Sequence, residues 1–288
     1  MNGIFILDCP EISCPLVLIY VFREFCGCFI RRGYNVKIIK KLSEIHNDSI
    51  VLMGGIFNHS NPVDLLYKQA PNAIYIGWYW HKQDVSQLEN FTHIYENCKN
   101  LEADERISFL SKLDNSIPLL LRADEDPRAI GSYKREIKRD YCYMGHPYCR
   151  NYIPDPPFKG IYHSGGWDKY LTYNERRNIY LSSTFALGFQ SRENIENQHV
   201  SQRIYEGMAY GCVVFTNSKP AVDQTNGIAV YIGSKEELQQ KMSYYLGHPR
   251  LIEKKQIDGY TFVANCGTNE YTYNLMDKKI NFTHLKIL

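Results

Sequence analysis

Short, largely apolar segments alternate with helical stretches along this chain in two successive series, a pattern few architectures satisfy. In the first series Gly3–Leu7 (GIFIL), Asn35–Ile39 (NVKII), Ser49–Met53 (SIVLM) and Ala73–Gly77 (AIYIG) have the composition of strands, and Thr92–Tyr95 (THIY) is a further candidate. Residues 16–32 form an apolar helical stretch ended by Gly33. Strands that are apolar on both faces belong to parallel sheets covered on each side by helices. An α/β class with a mostly parallel sheet follows.

The second series begins after a polar stretch, Asp124–Asp140, which holds one Pro and one Gly and has the character of a domain junction. Tyr141–Met144 (YCYM), stopped at Gly145, opens it, and Lys159–His163, Thr184–Phe189, Cys212–Thr216 and Ile228–Ile232 are the strands that follow. Between them lie helices at Thr172–Ser182 and Val200–Tyr210. Ser234–Leu246 is a helix that starts with a Ser-x-x-Glu capping box, Glu237 being the Glu, and stops at Gly247 and Pro249. At ~150 residues per domain the length allows two domains. The expected organisation is two Rossmann-like, doubly wound halves, 1–130 and 131–270, with a terminal helix in 271–288.

Charge and cysteine usage narrow the setting. Lys and Arg number 33 against 31 Asp and Glu, so no global basic field exists to hold nucleic acid, and phosphates must be met locally. The longest apolar run, Ile12–Phe22, is shorter than the ~20 residues of a bilayer span and carries Pro15, so no transmembrane segment is expected. No basic region precedes it, which argues against a signal peptide. Nine scattered cysteines, without a CxxC pair, suit free thiols in a cytoplasmic protein and give no zinc site.

Most nucleotide and hydrolase fingerprints are missing. No GxGxxG follows the first strand, and the nearest approach to a P-loop, Gly160–Gly166, has Gly166 where Lys is required. GxSxG and HExxH are absent. The informative stretch is Gln190–Asn217, in which a polar loop feeds a helix that starts near Ser201 and carries Arg203 and Glu206 on one face. A helix start with an Arg can hold a diphosphate, and a carboxylate one turn on can accept from ribose hydroxyls. The plain alternative is an ordinary i,i+3 ion pair on a solvated helix.

With its flanks, this stretch resembles the donor domain of GT-B glycosyltransferases, especially those similar to spore maturation glycosyltransferases and related to exostosin-like transferases. The pattern S-x-R-x-x-E-x-x-A-x-G stands here as Ser201, Arg203, Glu206, Ala209 and Gly211, and the likeness runs over roughly residues 141–273. The resemblance implies two Rossmann-like domains facing a cleft, the N-terminal one taking the acceptor and the C-terminal one the nucleotide sugar. It implies that Arg203 contacts the diphosphate and Glu206 the ribose. Gly145, His146 and Arg150 would lie by the phosphates, Tyr162 and His163 near the base or sugar, and the loop Asn197–Val200 across the donor. The last helix would cross back to the first domain.

One departure bears on stereochemistry. Many retaining members carry a second Glu eight positions before the helix Glu, and here that position is Gln198. Inversion instead requires a general base. Candidates follow the strands of the first domain, where ligands bind in open α/β sheets: Asp8 and Glu11 after GIFIL, His59 after the third strand, and His81 after the aromatic run Trp78–Tyr79–Trp80, itself a possible acceptor platform or simply core. Asp124–Glu125–Asp126 has the Asp-x-Asp form of a divalent-metal site but sits at the domain junction before Pro127, where a solvated linker is the better reading.

The expectation is therefore a metal-independent, inverting transferase without a bound cofactor. It moves a sugar from a UDP- or GDP-linked donor to a hydroxyl of a glycan or other acceptor, and nucleic acid is not a partner. A sugar-nucleotide epimerase of the same architecture, or a non-catalytic nucleotide or glycan binder, are the alternatives. Epimerisation would convert donor without acceptor.

Overall fold

The computed structural model describes residues 3–7, 26–47, 49–54, 62–79, 93–96, 116–118, 134–145, 147–163, 171–196 and 200–280. The chain divides into two compact units, Met1–Leu121 with Thr272–Leu288, and Arg122–Tyr271.

In the first unit the elements are β1 (Gly3–Leu7), α1 (26–31), β2 (Asn35–Ile39), β3 (Ile50–Gly54), α2 (Pro62–Gln69), β4 (Ile74–Tyr79), β5 (His93–Glu96) and β6 (Ser116–Pro118). All six strands pair in parallel in the order β2-β1-β3-β4-β5-β6. The apolar runs pair in register, Ile4 with Val36 and Ile50 for example. Phe29 of α1 is fully buried and meets Tyr273 edge-on, with ring centroids 4.9 Å apart. Arg32 lies 3.8 Å above the same Tyr273 ring and donates to Asn274 Oδ1 at 3.1 Å. These contacts tie residues from Thr272 onward to the first unit.

The second unit contains β7 (Arg139–Met144), a 3-10 turn (Pro147–Tyr152), β8 (Gly160–His163), α3 (Tyr173–Leu181), β9 (Ser183–Leu187) and α4 (Arg192–Glu196). It continues with α5 (Gln202–Ala209), β10 (Val213–Thr216), α6 (Lys219–Gln224), β11 (Val230–Tyr231), α7 (Lys235–Leu246) and α8 (Pro249–Cys266), and α9 (Asn269–Ile280) leads out of it. Its five parallel strands run in the order β8-β7-β9-β10-β11. Both sheets thus place their second strand beside the first and their third on the other side. In that doubly wound order the chain reverses direction of travel between first and third strands, and the crevice beyond their carboxyl ends is where such sheets bind ligands. In the second unit this is the end of β7 and β9.

Two apolar layers cover the second sheet. Ala186 and Val214 pack with Ile204, Tyr205 and Met208 of α5 on one face, while Tyr143, Phe185, Leu187 and Phe215 pack with Leu238 and Met242 of α7 on the other. Every residue of β9 is buried, Ser183 and Thr184 included, as in a strand covered on both faces.

The helix signals are used with one adjustment. Thr172 and Glu175 form a full capping box at the start of α3, the Thr172 N–H donating to Glu175 Oε2 at 2.7 Å. Ser234 caps α7 by accepting from the Glu237 N–H at 3.2 Å, but the Glu237 carboxylate accepts from Gly233 rather than from Ser234. Pro249, expected to mark the end of α7, also opens the 18-residue α8 at its first turn. Proline suits that position because its missing N–H would have no intrahelical partner.

Gly207 sets how near α5 comes to the sheet. A Cβ there would meet Ala186 Cβ and Val214 Cγ2, each at 2.9 Å. Gly207→Val is expected to destabilise by about 3 kcal/mol, since overpacking outweighs the roughly 0.4 kcal/mol of helix propensity recovered. A lower urea midpoint with unchanged slope checks this; an unchanged midpoint would show that the helix can move off the strands freely.

Candidate functional site

The site is built at the carboxyl ends of β7 and β9. β7 ends at Met144 and Gly145 follows; after β9 the chain passes Gly188, Phe189 and Gln190. Arg203, the second residue of α5, spans the two. Its Nη1 donates to the Met144 carbonyl at 2.9 Å and its Nη2 to the Phe189 carbonyl at 3.3 Å. A guanidinium has five N–H donors in a fixed plane, so two are used to tie the strand ends and Nε is left buried without a partner. Glycine at 145 leaves room for this arrangement, because a Cβ there would come within 2.3 Å of Arg203 Nη1 and 2.7 Å of the Tyr143 ring and would displace them.

Aromatic rings support the guanidinium from below. It lies 5.9 Å from the Tyr143 ring centroid, and Tyr143 stacks on Tyr162 with centroids 5.4 Å apart and planes 9° from parallel. Burial pushes the Tyr143 phenol well above its ordinary range, against the opposing pull of Arg203, so it stays neutral. The Tyr162 hydroxyl is buried without a partner.

Ser201 is the N-cap of α5 in extended conformation, but its side chain makes no capping hydrogen bond. Arg203 and Glu206, expected on one face, are turned to different tasks. Glu206 is 4% exposed, pairs with Arg176 Nη1 at 3.5 Å through Oε1, and accepts from the Tyr180 hydroxyl at 3.3 Å through Oε2. Burial raises the Tyr180 phenol far above its usual value, keeping it a donor. No ion pair joins Arg203 to Glu206 among the described residues.

Of the remaining expected site residues, Gly145 hydrogen-bonds through its N–H to the His163 carbonyl at 3.1 Å, extending the β7–β8 ladder past its end. His163 is the last residue of β8 and half-buried, and Arg150 is exposed in the 3-10 turn. His146, Asp8, Glu11, His59, His81, Trp80, Gln198 with its neighbours 197 and 199, and Asp124–Asp126 lie outside the described residues, as do the side chains of Trp78 and Tyr79. Among the described residues no group of three His, Cys, Asp or Glu is placed to hold a metal ion.

Several participants were not marked by the sequence pattern. Arg176 and Tyr180 hold Glu206 from α3. Asn217 accepts from the Gln190 N–H at 2.8 Å and donates to the Gln190 carbonyl at 3.0 Å, fixing the strand end. Polar residues just past the ends of buried strands, as at Gln190 and Asn217, are the signal that could have singled them out.

The glycosyl transferase-like family matches residues 147–274, nearly all of them in the second unit. No curated protein matches the chain. Among solved structures, alpha-glucosyltransferase (AGT) in complex with UDP is similar at a TM-score of 0.64 and 9% identity, covering 99% of this chain and 100% of that one. The same enzyme with UDP-glucose and DNA containing an abasic site gives 0.63 at 10% identity, with 99% of each chain covered. T4 phage BGT with UDP and Mn2+ gives 0.53 at 13% identity over the whole of both chains. These likenesses show the fold, α/β with parallel sheets, as in GT-B glycosyltransferase structures. The family match and the shared fold together support a glycosyltransferase of the GT-B type.

Proposed function

We infer that the chain moves a sugar from a UDP- or GDP-linked donor to a hydroxyl of a glycan or other acceptor. The observation that carries this is Arg203, held across the β7 and β9 ends at the position where doubly wound sheets bind ligands, with N–H donors left over. A guanidinium beside a helix start stabilises the charge that grows on a leaving diphosphate. UDP in the similar structures supports that donor class.

Inversion is supported by Gln198 standing where retaining members carry Glu, and would draw its base from Asp8, Glu11 or His81. Metal independence is supported by the positive end of α5 and by Arg203 taking the part a cation plays elsewhere. DNA in one of the similar structures makes nucleic acid an acceptor to be tested. The first unit, however, carries 14 Lys and Arg against 14 Asp and Glu, a balance that favours a neutral acceptor over a polyanion. Among the described residues no helix is long and apolar enough to cross a membrane. The free thiols Cys26, Cys142, Cys149 and Cys212 support a cytoplasmic setting.

Thermal-shift screening of UDP-, GDP- and CMP-sugars tests the donor class. A UDP- or GDP-sugar at 100 times its dissociation constant is expected to stabilise the fold by about 2.7 kcal/mol. Stabilisation by none of them would reject the reading. An NMR time course without acceptor would expose epimerisation.

A further inference from the structure

Buried polar atoms in folded proteins nearly always have partners, and each one that lacks them calls for a ligand or another physical cause. Gln190 is the most complete case here. Its residue is 2% exposed, yet neither Nε2 nor Oε1 of its amide has a hydrogen-bond partner. The backbone on either side is fixed, with Asn217 holding its N–H and carbonyl and Arg203 holding the carbonyl of Phe189.

Its placement follows from β9. Phe185, Leu187 and Phe189 face the α7 layer, Ala186 faces the α5 layer, and a Cβ on Gly188 would strike Ile204 of α5 at 2.2 Å. Gln190 directly follows Phe189, whose carbonyl accepts from Arg203 Nη2 at 3.3 Å, so it lies one peptide unit from the guanidinium whose Nε is also unpartnered.

We propose that Gln190 is a donor-recognition residue whose amide binds hydroxyls of a sugar attached to the diphosphate, either the ribose or the transferred sugar. The proposal rests on the donor site at Arg203. Phosphate oxygens only accept, so they would satisfy Nε2 and leave Oε1 unpaired. A sugar hydroxyl both donates and accepts, and a vicinal pair satisfies both ends of the amide. Glu206, the residue expected to take the ribose, already has two of its acceptor positions engaged by Arg176 and Tyr180.

The test is Gln190→Met in the full chain, which keeps length and removes both polar atoms, with Arg203→Ala alongside. Without ligand the Met variant should melt at or above the wild-type temperature, because no internal hydrogen bond is lost. Calorimetry should show about tenfold weaker binding of UDP-glucose or GDP-mannose, whichever wild type binds. Equal weakening for the free nucleoside diphosphate assigns the contact to the ribose; weakening confined to the nucleotide sugar assigns it to the transferred sugar. Weakening that persists with the 2′,3′-dideoxy nucleoside diphosphate points to the base and overturns the proposal. So does a ligand-free variant that melts several degrees lower or fails to fold, since the amide would then be serving the fold. If Arg203→Ala loses binding and Gln190→Met does not, this inference fails and the donor site stands. If wild type binds no nucleotide, both fail.

Discussion

Arg203→Ala is expected to weaken UDP or GDP binding about 100-fold and to abolish sugar transfer, because charge-assisted hydrogen bonds to a diphosphate contribute roughly 1.5–3 kcal/mol each. The variant should remain folded. Met144 and Phe189 lose a shared donor, but their strands stay paired through the rest of the sheet, and a melting-temperature drop of a few degrees is the expected cost. Arg203→Lys separates charge from shape. Lysine keeps the positive charge, but its single ammonium cannot tie two strand ends and still present a planar fork, so binding should fall about tenfold rather than recover. Isothermal titration with the free nucleoside diphosphate is the measurement. Unchanged affinity in a folded Arg203→Ala protein would remove this residue from the donor site.

Glu206→Ala should destabilise the protein by about 3 kcal/mol, the scale of breaking a buried ion pair by deleting one partner. The estimate sits at the lower end of that scale because Arg176 is 24% exposed and can turn to water, whereas the Tyr180 hydroxyl is buried and loses its acceptor. Glu206→Gln retains an acceptor for Tyr180 while removing the charge, and is expected to lose about 1 kcal/mol. Urea denaturation of the pair resolves the two contributions. The Gln variant also tests the ribose role implied for this residue: a folded Glu206→Gln protein with nucleotide affinity unchanged would make Glu206 a support for α5 and nothing more.

Local signals in the sequence foretold the parts of the structure that local physics controls. The apolar runs around residues 141–144, 184–187 and 213–216 became β7, β9 and β10 because segments apolar on both faces are stable only inside a covered parallel sheet. Ser234 marked its helix start to the residue, and the helix expected from Val200 starts after its N-cap Ser201. Pro249 was read for what it ends and not for what it begins, so α8 went unseen; in isolation a proline satisfies both roles. The partners of Glu206 were hidden for a different reason. Arg176 and Tyr180 lie on another helix, and only tertiary packing brings them to that carboxylate. Gln190 shows the same limit: its burial depends on how α5 closes on β9.

The return of residues 272–288 to the first unit has a consequence for the order in which the protein is made. Domains usually complete themselves from the N-terminus as the ribosome delivers them. Here Phe29 and Arg32 emerge early and wait for Tyr273 and Asn274, which are synthesised some 240 residues later. The second unit, whose last residue is Tyr271, has its full sequence translated before the first has its own. The sheet translated first is therefore the last to be finished, and a nascent chain arrested just before Thr272 would carry a complete second unit and an unclosed first one.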